Sequence, residues 1–275
     1  MIKQVPSRRR ALGTIGSGLV AAPAFLFGQT RQEKGKQLVL EALKALGGDA
    51  FLHIRTQYAA GRAYSFYNAS VRGLARISVY DRFEPMQKDA DADWLPVSRR
   101  EVYTEKGDYY SLFQNGKGWE ITFQGARSLA PDVIDRYRIG TRRDFHYFLR
   151  YRLNEPGLYY YHPGVEIVDN TPTNAVEITD SKGETITIFM RQSDGLPLQQ
   201  LYTRRDPKTR IPYEEKTVWS RYRTTGGSMI PWNIRKERDG EKIFEQFSSA
   251  FEVNTDLKPE LFAISRKTTI LPPDP

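Results

Sequence analysis

Apolar and polar residues alternate along most of the chain between residues 184 and 264. Five alternating segments follow one another there: 185–190, 198–202, 217–222, 230–235 and 243–253. Turn residues separate them, among them the pairs at 194–195, 226–227 and 239–240. Alternation with a period of two between Gly-marked turns predicts antiparallel strands with one buried face. This part of the chain is therefore predicted to form the wall of a sheet.

The preceding part of the chain shows the same period. Further strands are predicted at 56–67, 68–83, 99–104, 108–114, 118–123, 165–168 and 175–179. One face of 68–83 carries a row of small and β-branched residues that predicts close packing on a partner: Val71, Gly73, Ala75, Ile77 and Val79. The pair Asn115-Gly116 predicts a tight hairpin, since both residues tolerate positive φ.

Two segments change to a helical period. Residues 32–46 place Val39, Leu43 and Leu46 on one face and end at Gly47-Gly48, which predicts a helix with a left-handed stop. Residues 131–153 repeat apolar positions at spacings of three and four, which predicts one helix or two helices split near Gly140. The second segment is also rich in arginine, so an aromatic face and a basic face are expected on it.

These elements predict a mainly β fold with some helix. We expect about ten to twelve antiparallel strands in one strongly curved sheet, an open or incomplete barrel whose concave side the helices cover. No linker interrupts residues 29–275, which are expected to form one domain.

Residues 1–28 are predicted to be an export signal. Arg8, Arg9 and Arg10 precede an apolar run at 11–27 that is softened by glycines and Pro23. Paired arginines favour the twin-arginine (Tat) route, and the run is shorter than the roughly 20 residues of a spanning helix. We expect cleavage, a periplasmic location and no stable membrane span afterwards; a retained anchor is the alternative.

Charge and composition exclude several classes of function. Four of the eight net positive charges lie in residues 1–28, and the other four are dispersed over the rest of the chain. Nucleic-acid binding favours a clustered basic patch, so no nucleic-acid partner is expected. Cysteine is absent, which excludes disulfides and thiolate metal sites.

Candidate catalytic chemistry is sparse. His53, His146 and His162 lack the short spacings of a metal site, and Ser193 and Ser228 lie outside any Gly-x-Ser-x-Gly elbow. We therefore expect no enzyme activity, no metal and no cofactor. A hydrolase would require His146 or His162 to meet carboxylates in a cleft.

Three stretches resemble the LolA/LolB-like superfamily of periplasmic lipoprotein carriers, which includes outer-membrane lipoprotein-sorting proteins. They are the helix end at 41–48, the strand and Asp-Gly-Leu-Pro turn at 187–198, and the closing pattern of 227–232 with 251–264. The resemblance implies an incomplete barrel with a helical lid over a hydrophobic cavity, acyl-chain or lipid binding, envelope transport partners and no catalysis. The chain departs from these carriers in its basic segment at 132–153 and its loop at 206–213.

Candidate ligand-binding residues follow from combining the strand aromatics with the apolar face of 131–153. Large aromatics mostly fill cores, yet a curved sheet under light helical cover leaves a concave apolar space. The predicted cavity residues are Trp119, Phe123, Phe145, Phe148, Leu149, Phe189, Trp219, Trp232 and Phe247. Arg142 and Arg143 are the candidates for contact with an anionic headgroup.

The leading hypothesis is a periplasmic carrier of a lipid-like or acylated ligand. The alternative is a non-catalytic structural or interaction module of the cell envelope, in which side chains fill the same barrel. An empty concave cavity would favour the first, and a filled interior the second.

Overall fold

The computed structural model describes residues 30–87, 94–207 and 209–272. The predicted export signal lies outside the described residues. Within the described ranges, no helix is long and apolar enough to cross a membrane.

One antiparallel sheet of thirteen strands dominates the described chain, so the mainly β prediction is confirmed. The sheet is strongly curled and is not closed, as the open-barrel prediction requires. Its strands are β1 Thr56–Tyr67, β2 Ser70–Phe83, β3 Val97–Val102, β4 Tyr110–Gln114, β5 Lys117–Thr122, β6 Gly125–Ser128, β7 Tyr159–Val168, β8 Thr171–Thr179, β9 Thr185–Arg191, β10 Pro197–Arg205, β11 Pro212–Thr225, β12 Ser228–Arg238 and β13 Glu241–Val253.

The strand order shows how the two halves of the chain meet. It runs β6-β5-β4-β3-β2-β1-β13-β12-β11-β10-β9-β8-β7, so each half is a simple meander and β1 pairs with β13 at the junction. The register there runs from Gln57 opposite Val253 to Ser65 opposite Phe244. The segment predicted as the wall, β9 to β13, is thus one half of the barrel.

Six short helical elements accompany the sheet in the described ranges: α1 Arg31–Ala45, α2 Asp49–Leu52, α3 Pro131–Arg143, α4 Phe145–Tyr147, a π-helix Phe148–Arg152 and a 3-10 helix Pro259–Phe262. Helix α1 begins at Thr30, whose hydroxyl accepts from the backbone N–H of Glu33 in a capping box. It ends at Gly47, which has φ +117° and packs against the backbone of Gly227. A Cβ at Gly47 would lie 2.7 Å from the Gly227 carbonyl oxygen, which is why glycine is needed there.

The main core lies on the concave side, between the sheet and the helices. Val39 of α1 and Leu46, which follows α1, belong to one cluster with Ile188 of β9 and Trp219 of β11, and each is at most 2% exposed. On the opposite side of the sheet, Phe262 of the 3-10 helix packs on β4 to β6 in a second, smaller cluster. The C-terminal chain then follows β6, where the Ala126 N–H donates to the carbonyl of Thr269 at 2.8 Å.

Three details differ from the expectation. The sheet has thirteen strands, one more than the upper prediction of twelve. The missed strand is β6, whose four residues are too few to show alternation in the sequence. The predicted row of small residues on β2 is buried at Ile77 and Val79, but Val71 is 57% exposed. The register between β1 and β2 shifts at Phe66, which lies opposite Val71. Strand β5 ends at Thr122, so Phe123 lies in a turn.

Candidate functional site

The elements α3, α4 and the π-helix, residues 131–152, form a helical cover over the concave face. In the middle of α3, Tyr137 stacks on Phe113 of β4 with ring centroids 3.9 Å apart. At the C-terminal end of α3, Arg143 donates to the Thr203 carbonyl of β10 at 3.2 Å. The cover therefore bridges the two halves of the curled sheet. No residue of α3 is fully buried, so α3 lies on the structure rather than inside it.

The short helix α4 turns the chain inward. Asp144 is extended and ends α3, and its carboxylate accepts from the Tyr147 N–H at 3.0 Å. The Phe145 N–H donates to the buried amide oxygen of Gln200 at 2.9 Å. The rings of Phe145 and Phe148 then lie nearly parallel, 6.2 Å apart, and neither is more than 1% exposed. The predicted break near Gly140 thus lies four residues later, at Asp144.

Four of the predicted cavity residues meet in this place. Phe145, Phe148 and Leu149 of the cover and Trp219 of β11 belong to one buried cluster. Each is at most 2% exposed. Their shared position makes the underside of the cover the candidate functional site, and their role in ligand binding stays a prediction.

Two other predicted residues point away from that cluster. Side chains alternate between the two faces of a strand, so Phe189 lies opposite the core residue Ile188. Phe247 pairs with Asn233, the neighbour of Ile234, which packs against the core. Alternation in a sequence shows that a strand has two faces but does not identify the inner one.

The remaining three predicted residues are dispersed. Trp119 packs in the second cluster, on the other side of the sheet. Phe123 is 87% exposed in the turn after β5. Trp232 is partly buried beside Phe251, with ring centroids 6.3 Å apart, and the Arg223 guanidinium lies 4.2 Å from its ring.

Two spaces between side chains were found near β4 and β5. A groove of about 310 Å³ opens beside the second cluster; its lining residues are Leu112, Gln114, Asn115, Lys117, Trp119, Ala263 and Ile264. A space of about 10 Å³ lies under α3, against Val97 and Ile134, and has room for about one water molecule. The cover therefore rests closely on this part of the sheet.

The two predicted headgroup arginines contact the protein. Arg143 forms an ion pair with Glu184 at 2.8 Å, and its guanidinium lies 5.1 Å from the centre of the Tyr202 ring. Arg142 donates to the backbone carbonyl of Trp94 at 3.3 Å. Both side chains tie the end of α3 to the body. Contact with a headgroup would require these bonds to be exchanged, so that role stays a prediction.

Arg150 is a feature that sequence reasoning did not single out. It donates to the carbonyls of Leu52 and Ile54 at 2.9 and 3.1 Å, satisfying the end of α2. Its guanidinium lies between the rings of Phe51 and Phe83, at 4.7 and 4.5 Å. Burial lowers the pKa of Arg150 to about 10, so it stays charged at neutral pH. The π-helix is thereby anchored to α2.

A buried ionic cluster lies beside the cover. Asp81 is 4% exposed, and Arg99 reaches both Asp81 and Glu101, with nitrogen-oxygen distances of 3.2 Å. Gln57 donates to Asp81 at 3.3 Å, and the Tyr103 hydroxyl donates to Glu101 at 2.8 Å. Burial raises the pKa of Asp81 to about 6, although Arg99 acts in the opposite direction. Pairing of β1, β2 and β3 creates this cluster, so no local motif reveals it.

Asp81→Asn is expected to change how stability depends on pH. A carboxyl whose pKa is about 6 when folded and near 3.8 when unfolded takes up a proton on folding, so the folded state loses stability as pH rises between those values. The loss is at most about 3 kcal/mol. Urea unfolding across this range should show a flatter profile for Asp81→Asn. An unchanged slope in the variant would mean that Asp81 does not titrate on folding.

The histidines do not meet in a cleft. His146 is buried against Trp219, with ring centroids 4.9 Å apart, and its Nδ1 lies 3.7 Å from the Asp144 carboxylate. Burial lowers the pKa of His146, which favours the neutral ring. His162 lies on β7, where its Nδ1 contacts the Ala175 carbonyl at 2.8 Å. Across ranges 30–87, 94–207 and 209–272, no three metal-ligating side chains cluster.

Comparisons with known proteins identify the architecture. No protein-family profile and no curated protein sequence matches the chain. The chain is similar to the crystal structure of a DUF1329 family protein from Desulfovibrio piger, with a TM-score of 0.56 and 16% identity, covering 85% of this chain and 98% of that one. It is also similar to a domain described as an outer membrane lipoprotein-sorting protein from Vibrio parahaemolyticus, with a TM-score of 0.53 and 10% identity, covering 84% and 96%.

The chain shares the fold of these two structures, an open barrel formed by one strongly curled antiparallel sheet. The resemblance predicted from three short stretches is thus confirmed for the fold. At 10–16% identity the similarity shows a shared architecture and does not identify a ligand. What the open barrel does in this chain therefore depends on its own concave face and helical cover.

Proposed function

We propose that the protein binds an acyl chain or another lipid-like group between the concave face and the helical cover, as a non-catalytic carrier of the cell envelope. One observation carries the proposal: a separate helical segment fills the apolar interior. Phe145, Phe148 and Leu149 are at most 1% exposed, although they belong to the cover and not to the sheet. A ligand that replaced these side chains would leave the sheet intact.

The way the cover is attached supports its displacement. Helix α3 buries no residue fully and contacts the body through Tyr137 at its centre and through Arg142 and Arg143 at its C-terminal end. The inserted part consists of α4 and a π-helix, and π-helices are rare and often mark functional sites. Displacement of the insertion would also break the two hydrogen bonds of Arg150 to the end of α2.

The free energy lost when cover side chains are exposed, compared with the free energy gained when a ligand is buried, sets a minimum ligand length. Exposing Phe145, Phe148 and Leu149 would cost about 1.5–3 kcal/mol each, whereas each buried CH₂ of a ligand contributes about 0.8 kcal/mol. About six to eleven methylenes are then needed before binding becomes favourable. Saturated fatty acids should therefore bind with an affinity that rises steeply above about ten carbons.

A fluorescent fatty-acid probe, displaced by saturated acids of increasing length, tests this prediction. Native mass spectrometry of the purified protein checks for co-purified lipid. We expect displacement by the long acids and none by acids of about six carbons or fewer. Equal displacement by all lengths, or no probe binding with no bound lipid, would contradict the proposal.

A second candidate function is a structural or interaction module with a permanently filled barrel. The full burial of Phe148 and the small space under α3 favour it. In this case the fatty-acid series should show no binding at any length. The same titration therefore separates the two candidates.

We also propose that residues 1–28 direct export through the Tat route to the periplasm. The motif Arg8-Arg9-Arg10 and the glycine-containing apolar run support it. Fused to a reporter that works only after Tat export, residues 1–28 should give signal that a triple lysine variant at 8–10 abolishes. Signal that persists in a strain lacking Tat would refute this route.

A further inference from the structure

One end of the barrel carries exposed apolar side chains on several of its turns. In a meander, alternate turns lie at the same end of the sheet, so the turns β1–β2, β3–β4, β5–β6, β8–β9, β10–β11 and β12–β13 share one end. We call this end the rim. Short polar turns occur at both ends, such as Asp239-Gly240 at the rim and Asn115-Gly116 at the opposite end.

The rim carries many of the exposed large apolar side chains of the described chain. Tyr67, Val71 and Leu74 on the β1–β2 hairpin are 64%, 57% and 62% exposed. Phe123 at the β5–β6 turn is 87% exposed, and Ile211 in the β10–β11 loop is 63% exposed. At the opposite end, Met86 between β2 and β3 is 50% exposed, and Val165 and Ile167 before the β7–β8 turn are 55% and 67% exposed. The rim differs from that end because its exposed apolar side chains lie on three separate turns. Apolar side chains on several turns of one end point to a common contact surface.

Charge on the longest hairpin indicates the partner. Between residues 56 and 80 the chain has three arginines, Arg62, Arg72 and Arg76, and no acidic residue. Arg76 forms an ion pair with Glu105 in the β3–β4 turn, so Arg72 at the tip is the arginine that indicates the partner. The Arg72 guanidinium lies 5.7 Å from the centre of the Tyr67 ring at the tip. An aromatic tip beside arginines is typical of groups placed at the interface of an anionic lipid bilayer.

We propose that the rim docks the protein on an anionic phospholipid surface, with the β1–β2 hairpin inserting Tyr67, Val71 and Leu74 among the headgroups. Separate turns can each enter the interfacial region while their strands keep their backbone hydrogen bonds. The exposed apolar residues of the rim are spread over several hairpins. A fluid lipid surface can contact such separate groups, whereas a rigid protein partner favours one contiguous apolar patch.

Docking at the rim would place the membrane near one end of the helical cover. Arg143 binds Glu184 in the β8–β9 turn, which belongs to the rim. This link to ligand loading rests on the proposed function, whereas docking itself does not depend on it.

Vesicle flotation tests the docking surface. The mature protein is mixed with vesicles of phosphatidylcholine alone or with one quarter phosphatidylglycerol. We expect binding to the anionic vesicles and a loss of about tenfold or more in partitioning for the double variant Val71→Ser/Leu74→Ser. The matched control is Val165→Ser/Ile167→Ser on β7, whose side chains are 55% and 67% exposed and lie away from the rim. This control should bind like the parent.

Several results would overturn the proposal. They are no flotation of the parent protein, equal losses in the rim variant and the control, and full binding by the rim variant. Arg72→Glu adds a second test, since it should weaken binding to anionic vesicles and leave the unfolding midpoint unchanged. Uptake of a fatty-acid probe from vesicle-free solution should be the same for parent and rim variant. A rim variant that loses flotation but keeps uptake separates docking from ligand binding.

Discussion

Phe148→Ala is expected to lower the free energy of unfolding by about 3–5 kcal/mol, one of the two largest effects predicted for this protein. The ring is 1% exposed and stacks beside Phe145 in the core under the helical cover. Truncation removes its transfer free energy and leaves a cavity that a close-packed core fills only partly. Urea unfolding monitored by circular dichroism measures the change.

Phe123→Ala is the matched control. The same atoms are removed, but Phe123 is 87% exposed, so the change should stay within about 0.5 kcal/mol. Both phenylalanines were predicted to line one cavity, and only Phe148 is buried, on the underside of the cover. Similar losses for the two variants would contradict the placement of Phe148 in the core.

Gly61→Ala is expected to destabilise the junction of the two halves by about 3 kcal/mol or more. A Cβ at this position would lie 1.9 Å from the Phe247 carbonyl oxygen and 2.9 Å from the Ser248 Cα. These are backbone atoms of β13, where the register with β1 shifts beside Gly61. The strands would have to separate at the one strand pairing that joins the two halves of the sheet in the described chain. Thermal unfolding should show a much lower midpoint.

Gly140→Ala is the matched control for Gly61→Ala and is expected to stabilise the protein. Gly140 lies inside α3, and a Cβ there would meet only the Tyr202 hydroxyl, at 3.9 Å. Alanine favours a helix over glycine by about 0.5–1 kcal/mol, so this variant should be more stable than the parent.

If Gly61→Ala were as stable as the parent, the close contact of β1 with β13 would be refuted.

Elements with a clear period were predictable from the sequence. The predicted strand at 56–67 coincides with β1, and Asn115-Gly116 turns the chain with φ of +52° and +71°. Helix α1 was predicted within one residue at each end because its apolar face and its glycine stop agree. Local signals suffice when they coincide with what the core requires.

Properties that depend on pairing between distant strands were not predictable. Asp81 and Arg99 become neighbours because β2 pairs with β3, and nothing local to either residue shows it. The inward face of β9 is likewise set by its pairing with β8 and β10. Ile188 therefore joins the main core cluster, whereas Phe189 is buried outside that cluster. The break at Asp144 was missed because its cap depends on an extended backbone and not on a glycine.

Hydrogen exchange of the helical cover tests the central claim, that a lipid-like ligand binds between the concave face and the cover and displaces the buried side chains of the cover. Amide exchange at residues 145–152 is compared with and without a long saturated fatty acid, with a short-chain acid as the matched control. We predict faster exchange in the cover with the long acid and slower exchange in β9 to β11, with no change for the short acid. Unchanged exchange everywhere, or slower exchange in the cover, would contradict the account.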